Sequence, residues 1–175
     1  MQRENTVVPE CYVDTNLMNV LLGRYCNHQK GCATVCKTLN TKLANQFAIG
    51  IIDKDKNEPS AVKDYVLVGD CNHFIVSKHK EQSHYLIQIK PAVESFILSA
   101  AQELHVSLSD FDLPDNLEKL KVLTKNVAAK EDQKFSKLFK KLRSSSIIQR
   151  LDNVVKYLLA QKYTSLDDEI RKLMQ

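Results

Sequence analysis

The chain has 175 residues, of which 43% are hydrophobic and 26% are charged, with only four glycines and four prolines. This composition fits one domain with a substantial core and excludes a low-complexity chain. No window stays apolar for the roughly 18 residues of a membrane span. The formal net charge of +4 permits contact with nucleic acid without requiring it. A polar start and five cysteines lead us to expect free thiols in a cytoplasmic protein.

The first hundred residues are predicted to alternate strands and helices. Short apolar runs indicate strands, and apolar residues spaced three or four apart indicate helices. The predicted strands are 7–14, 24–28, 47–53, 73–78 and 84–89, and the predicted helices are 16–22, 32–45 and 91–105. Residues 61–68 fit either state.

Beyond Pro114 only helices are predicted. They cover residues 117–127, 133–143, 146–161 and 166–173. The sequence therefore predicts an α/β protein with a small, mainly parallel sheet and flanking helices. Its expected parts are an α/β domain over 7–110 and a helical extension over 111–175 packed on it.

The central feature is the apolar strand 47–53, which ends in Asp53, Lys54 and Asp55. A continuous apolar run of this length is typical of a strand covered on both faces. Two carboxylates two residues apart point to the same side of an extended chain and repel each other. Hard oxygen ligands of this kind suit Mg²⁺ or Mn²⁺. The alternative is an ordinary polar turn.

Two further acids are expected at the same edge of the sheet. Asp14 ends the first predicted strand, and Glu94 lies in the first turn of the helix after Pro91. If the strands are parallel neighbours, their carboxyl ends meet. Asp14, Asp53, Asp55 and Glu94 are then both the metal ligands and the catalytic residues, with the ion activating water against a phosphodiester.

This order of elements and acids resembles a TOPRIM domain, the fold of topoisomerases, primases and OLD-type nucleases. The family has an acid after the first strand, usually Glu followed by Gly, and a later strand that ends in Asp-x-Asp. The resemblance covers residues 8–100. It implies that Asp14 is the first acid, with Glu10 as the weaker candidate, and that Asp53 and Asp55 bind metal. The segment 89–98 resembles the OLD-type element in which a Glu opens a helix, which implies a role for Glu94.

A second resemblance is confined to residues 12–17. Tyr-Val-Asp-Thr-Asn-Leu is similar to the opening strand of PIN-domain ribonucleases, which reads two apolar residues and then Asp-Thr-Asn. Both families place acids around Mg²⁺ and act on phosphodiesters, so they imply the same site chemistry on different substrates.

Basic residues supply candidate nucleic-acid contacts. Residues 114–175 carry 14 basic and 8 acidic side chains, whereas residues 1–113 carry 11 and 13. Lys134, Lys137 and Lys141 share one face of a predicted helix, which can lie along phosphates or simply face solvent. Lys30, just before Gly31 and a helix N-terminus, is a further candidate for an anion contact, and a plain turn is the alternative.

The spacing Cys26-x-His28-x3-Cys32-x3-Cys36 allows two interpretations. These residues could bind zinc, or, more simply, the cysteines are thiols buried by a helix.

Two functions follow from the whole pattern. One is Mg²⁺-dependent hydrolysis of DNA or RNA by a small TOPRIM-like nuclease, in a bacterial or phage defence setting by analogy with the OLD type. The other is a non-catalytic adaptor that docks a protein partner through its helical tail.

Overall fold

The computed structural model describes residues 2–54 and 58–175, and these residues form an α/β fold. The strands are β1 (Arg3–Glu4), β2 (Val7–Pro9), β3 (Tyr25–Cys26), β4 (Ala48–Asp53), β5 (Tyr65–Asp70), β6 (Phe74–His79) and β7 (His84–Ile89). The helices are α1 (Tyr12–Leu22), α2 (Cys32–Thr41), α3 (Val93–Glu103), α4 (Leu117–Thr124), α5 (Gln133–Leu142), α6 (Ser146–Gln161) and α7 (Asp167–Leu173). Short 3₁₀ helices lie at Ser60–Asp64, Leu108–Phe111, Val127–Lys130 and Lys162–Thr164.

Five strands form one sheet in the order β2-β4-β7-β6-β5, and β1 and β3 form a small parallel pair beside it. β2, β4 and β7 are parallel, whereas β6 and β5 are antiparallel to their neighbours. The sheet is therefore mixed rather than mainly parallel. Short loops join β5, β6 and β7, and a short loop cannot provide the long crossover that a parallel pair needs.

β4 is the centre of the sheet, and helices cover both of its faces. Ile49 and Ile51 belong to the large core beneath α1 and α3. Ala48 and Ile52 belong to a smaller core beneath α2. This alternation follows from the two-residue period of a strand. The predicted strand with both faces buried is confirmed.

The N-terminal boundary differs from the prediction. The first strand of the sheet ends at Pro9 and α1 begins at Tyr12, so Asp14 lies in the first turn of a helix and does not end a strand. The Cys11 thiol accepts from the Asp14 amide (3.2 Å), and the Asp14 carboxylate accepts from the Cys11 amide (3.3 Å). This reciprocal cap starts the helix four residues earlier than the sequence predicts.

The C-terminal helices share the large core with α1 and α3. The apolar face predicted for α5 is confirmed, because Phe135, Leu138 and Leu142 are buried while the lysines of that helix are exposed. Among the residues described, no helix combines the length and apolar character needed to cross a bilayer.

Candidate metal centre

Glu10 is the acid that directly follows the first strand of the sheet. β2 and β4 are parallel, with Pro9 opposite Ile51, so Glu10 and Asp53 leave the sheet at the same edge. The Glu10 amide donates to the Ile51 carbonyl at 2.9 Å. Its carboxylate Oε2 accepts from the Asp53 amide at 3.1 Å and from the Cys32 thiol at 2.9 Å. Glu10 is therefore tied directly to the end of β4.

Glu10, the weaker candidate for the first acid in the sequence analysis, takes the place at the end of the first strand that was expected for Asp14. It ranked below Asp14 because the first strand was expected to continue to residue 14. A signal was present in the sequence, since Pro9 has no amide hydrogen and sits where a strand ends. The acid that follows Pro9 then occupies the end of the strand.

Asp53 connects the end of β4 to the start of α3. Its Oδ1 accepts a 2.9 Å hydrogen bond from the amide of Val93, the first residue of α3. The preceding residue is Ala92, whose side chain cannot cap the helix, so the carboxylate from a different element does so. A carboxylate at a helix N-terminus satisfies an amide that lacks an intrahelical partner and interacts favourably with the helix dipole.

Asp14 is almost completely buried, with 1% of its surface exposed. One carboxylate oxygen, Oδ2, accepts from the Cys11 amide. The other, Oδ1, is buried and has no hydrogen-bond partner among the described residues. A buried carboxylate oxygen without a partner is costly in free energy, and a bound cation or proton would reduce that cost.

Glu94 follows Val93 in the first turn of α3 and is 7% exposed. Its Oε1 accepts a hydrogen bond from the hydroxyl of Thr124, at the end of α4. This bond links the first turn of α3 to the helical part of the chain. Glu94 is therefore held in the interior beside the Asp53 cap.

The four carboxyl groups influence one another electrostatically. Burial, followed by the charges of Asp14, Glu10 and Glu94, raises the pKa of Asp53 to about 9. Burial is also the largest cause that raises the pKa of Asp14, to about 7, and the charges of Glu10 and Glu94 add to it against the opposing effect of the Cys11 hydrogen bond. Like charges at short range disfavour ionisation. Glu10 and Asp53 lie at the ends of β2 and β4 and are linked by a hydrogen bond, Asp53 bonds to the first turn of α3 that carries Glu94, and Asp14 lies in the first turn of α1.

The donor set fits a hard cation, although no ligand shell is preformed. Asp55 lies outside the described residues. Within residues 2–54 and 58–175, no three His, Cys, Asp or Glu side chains form a group that could hold an ion. Instead, a carboxylate oxygen of Glu10 accepts a hydrogen bond from the Cys32 thiol, and one of Glu94 accepts a hydrogen bond from the Thr124 hydroxyl. Carboxylate oxygens are the ligands that Mg²⁺ and Mn²⁺ prefer, and Oδ1 of Asp14 is already unengaged.

His28 lies against this site, a position that the sequence analysis did not predict. Its Nδ1 is 2.9 Å from the Thr15 hydroxyl, which donates its only hydrogen to the Cys11 carbonyl. Burial and then the charge of Lys130 lower the pKa of His28. The ring stacks on Tyr12, with centroids 4.6 Å apart.

The residues of the possible zinc site and the lysines predicted to contact nucleic acid lie in other surroundings. Cys32 and His28 bond to Glu10 and Thr15 rather than to a common ion, and Cys36 is buried in α2. No zinc-binding group occurs in the part of the chain that the structure describes. Lys30 is exposed immediately before α2, and the predicted lysines of α5 are exposed opposite its buried face: Lys134, Lys137 and Lys141.

No protein-family model, no curated protein and no solved structure matches this chain. The chemistry of the site therefore rests on its own residues and their geometry.

Proposed function

We propose that this protein is a metal-dependent phosphodiesterase that hydrolyses nucleic acid. The observation that carries the proposal is the buried Asp14 oxygen without a partner, at the edge of the sheet where the Asp53 amide bonds to Glu10 and the Asp53 carboxylate bonds to the start of α3 beside Glu94. Buried carboxylates that repel one another must either hold protons or share a cation. Mg²⁺ or Mn²⁺ is the cation that suits this set of oxygens.

The four residues would contribute in different ways. Asp14 and Asp53 are fixed by the Cys11 and Val93 amides, so they offer carboxylates in set positions. Glu10 and Glu94 have longer side chains and would exchange their bonds to neighbouring side chains for the ion. Asp55 is proposed as a further ligand because it follows Asp53 by two residues. The bound ion would supply charge neutralisation on the phosphodiester and activation of the attacking water.

The order of elements supports the TOPRIM-like resemblance as a proposal. With the first strand ending at Pro9, Glu10-Cys11 stands where the family has Glu-Gly, and this fit is better than that of Asp14-Thr15. Asp53 ends a central strand and Glu94 opens a helix. We propose Lys30 and the exposed lysines of α5 as contacts for the nucleic-acid backbone, because exposed cations neutralise phosphates.

Cleavage assays with matched variants test this proposal. Labelled single- and double-stranded DNA and RNA would be incubated with the protein and Mg²⁺, Mn²⁺ or EDTA. We expect metal-dependent cleavage that falls by about a hundredfold or more in Asp53→Asn and Glu10→Gln, because each loses a ligand charge. Asp64→Asn, at an exposed position outside the site, should cleave normally.

Calorimetric titration with Mn²⁺ supplies a second measurement that does not depend on choosing the right substrate. Wild type should take up the ion, and Asp53→Asn should bind it much more weakly. Circular dichroism would establish that the variants are folded. The proposal is wrong if folded wild-type protein neither binds Mn²⁺ nor cleaves any of the four nucleic acids.

One observation favours the adaptor as a second candidate. Large apolar side chains are exposed where α4 meets the following 3₁₀ helix: Val122 at 72%, Leu123 at 40% and Val127 at 65%. Exposed apolar residues grouped in this way are typical of protein-binding surfaces. Co-purification of a partner that is lost in Val122→Asp, from a protein without nuclease activity, would favour this candidate.

A further inference from the structure

A cleft lies between α1, β3 and the start of α5. It consists of two adjoining hollows of about 390 and 450 Å³. Tyr25, Lys130 and Glu131 line both hollows, so the two lie side by side. We call it the Tyr25 cleft. Tyr25 is 45% exposed, so part of its ring is available for contact.

Buried asparagines of α1 hold the walls of this cleft. Asn19 accepts from the Cys26 amide at 2.8 Å and so fixes β3. Asn16 donates to the carbonyls of Ala129 and Asp132, at 2.9 and 3.0 Å, and so fixes the opposite wall. Because the chain is held on both sides, the cleft exists before any ligand arrives, which lowers the entropic cost of binding.

The side chains that line the cleft suit a polyanion that carries aromatic groups. Arg3, Lys130 and Lys140 contribute three positive charges, against the single negative charge of Glu131. The basic residue of α5 in this cleft is Lys140, and the three lysines predicted for nucleic-acid contact are not among its lining residues. Guanidinium and ammonium groups bind phosphates, and an exposed tyrosine ring offers a surface for a base.

His28 connects the cleft to the acidic site. It lines the cleft beside Lys130, and its ring bonds to Thr15, the residue after Asp14. Glu10, Asp14, Asp53 and Glu94 are not among the lining residues of the cleft, so the contact of His28 with Thr15 is what relates the cleft to the acidic site.

We propose that the Tyr25 cleft binds an unpaired stretch of nucleic acid, with a base stacked on Tyr25 and its phosphates at Lys130, Lys140 and Arg3. This inference rests on the proposed function and names single-stranded nucleic acid as its substrate class. An unpaired strand is favoured over a duplex because only an unpaired base can present its face to a tyrosine ring.

Fluorescence anisotropy with a labelled twelve-nucleotide oligo-dT, measured in EDTA, tests the proposal without cleavage. Tyr25→Ala should weaken binding by roughly tenfold or more, and Tyr25→Phe should restore it, because stacking needs the ring and not the hydroxyl. Lys130→Ala and Lys140→Ala should each lower the slope of log Kd against log salt concentration by about 0.7. Glu131→Gln should tighten binding by removing the one opposing charge.

Lys37→Ala, which removes an exposed charge from α2, is the matched control and should bind like wild type. A duplex of the same length should bind more weakly than the single strand and should be insensitive to Tyr25→Ala. The inference is overturned if wild type does not bind the oligonucleotide, or if Tyr25→Ala and Lys140→Ala bind it unchanged. Binding of the oligonucleotide in EDTA, together with no cleavage of any nucleic acid in Mg²⁺ or Mn²⁺, would instead contradict the proposed hydrolysis and leave the cleft assignment standing.

Discussion

Asp14 performs a structural task with one oxygen and leaves the other unsatisfied. Its Oδ2 closes the cap of α1 with Cys11, while Oδ1 is buried without a partner beside Glu10 and Glu94. A side chain needed only for the cap would not have to be charged, since an asparagine oxygen accepts the same bond. The charge therefore lowers the stability of the cation-free protein, which is expected of a residue kept for binding.

Replacing Asp14 by Asn should stabilise the cation-free protein, and more so as the pH rises. The folded protein keeps protons on Asp14 and Asp53 at pH values where the unfolded chain has released them, because their pKa values are raised. The stability that these two protons contribute in EDTA is therefore fully present below about pH 4 and is lost as the pH rises through about 7 and 9. Asp14→Asn removes part of this loss and should raise the free energy of unfolding at pH 9 by about 1–3 kcal/mol, at about 1.4 kcal/mol per pKa unit.

Urea unfolding in EDTA at pH 5, 7 and 9 measures this effect. The difference between variant and wild type should be smallest at pH 5, where Asp14 is protonated in the folded protein. Mn²⁺ should stabilise wild type at pH 7 far more than Asp14→Asn. A variant that is less stable than wild type at all three pH values would mean that the charge of Asp14 supports the fold.

Most secondary structure elements follow from sequence periodicity, and the exceptions have physical causes. β4, the hairpin of β6 and β7, and the helices after residue 114 have the expected type and nearly the expected bounds. The expected strand 7–14 splits because Cys11 acts as a helix cap, a role more usual for Ser, Thr, Asp or Asn. Residues 61–68 were ambiguous because they divide between a 3₁₀ helix and β5.

The position of each site residue could be predicted from the sequence only where the end of the strand or the start of the helix that carries it could be predicted. Asp53 and Glu94 are placed by a strand end and a helix start, both of which apolar patterns indicate. The expectation that Asp14 ends the first strand is wrong, because the strand ends at Pro9 and Glu10 follows it; the order of the two acids as ligands stays a prediction. The Tyr25 cleft could not be predicted, because Tyr25 and Lys140 come close only after tertiary packing.

At the scale of an element, β4 depends on a glycine at its centre. A Cβ at Gly50 would lie 2.9 Å from Cδ1 of Leu39, a residue of α2, and 3.0 Å from Cδ1 of Leu86 in β7, and both side chains are buried. We expect Gly50→Ala to reduce the free energy of unfolding by about 1–3 kcal/mol, because a well-packed core resists an added methyl group.

Gly69→Ala in β5 is the matched control for Gly50→Ala, and urea denaturation compares the two. A Cβ there would lie 2.7 Å from the sulfur of Met174, near the chain end, where a flexible side chain can move away. Gly69→Ala should therefore cost clearly less than Gly50→Ala. Equal losses would show that α2 is not packed tightly against β4.

At the scale of the whole molecule, the C-terminal helices are joined to the α/β part by shared apolar packing and by buried polar bonds. The large core contains residues of α1, α3, α5 and α6 together. The Asn16 amide nitrogen of α1 donates to the segment before α5, its amide oxygen accepts from Ser136 within α5, and Glu94 of α3 accepts from Thr124 of α4. The division into parts at residue 110 stays a prediction.

Asn16→Ala should therefore affect both stability and binding in the cleft. The substitution leaves the carbonyls of Ala129 and Asp132 and the Ser136 hydroxyl without the bonds that Asn16 provides. Because buried polar groups that lose a partner cost about 1–3 kcal/mol each, with partial compensation by remaining bonds, we expect a loss of about 2–4 kcal/mol in urea unfolding. Exposed Asn45→Ala is the control and should change stability by less than about 0.5 kcal/mol.

Oligonucleotide affinity should also fall in folded Asn16→Ala, since one wall of the Tyr25 cleft is no longer held. Unchanged affinity in a destabilised variant would show that the wall keeps its position through apolar packing alone.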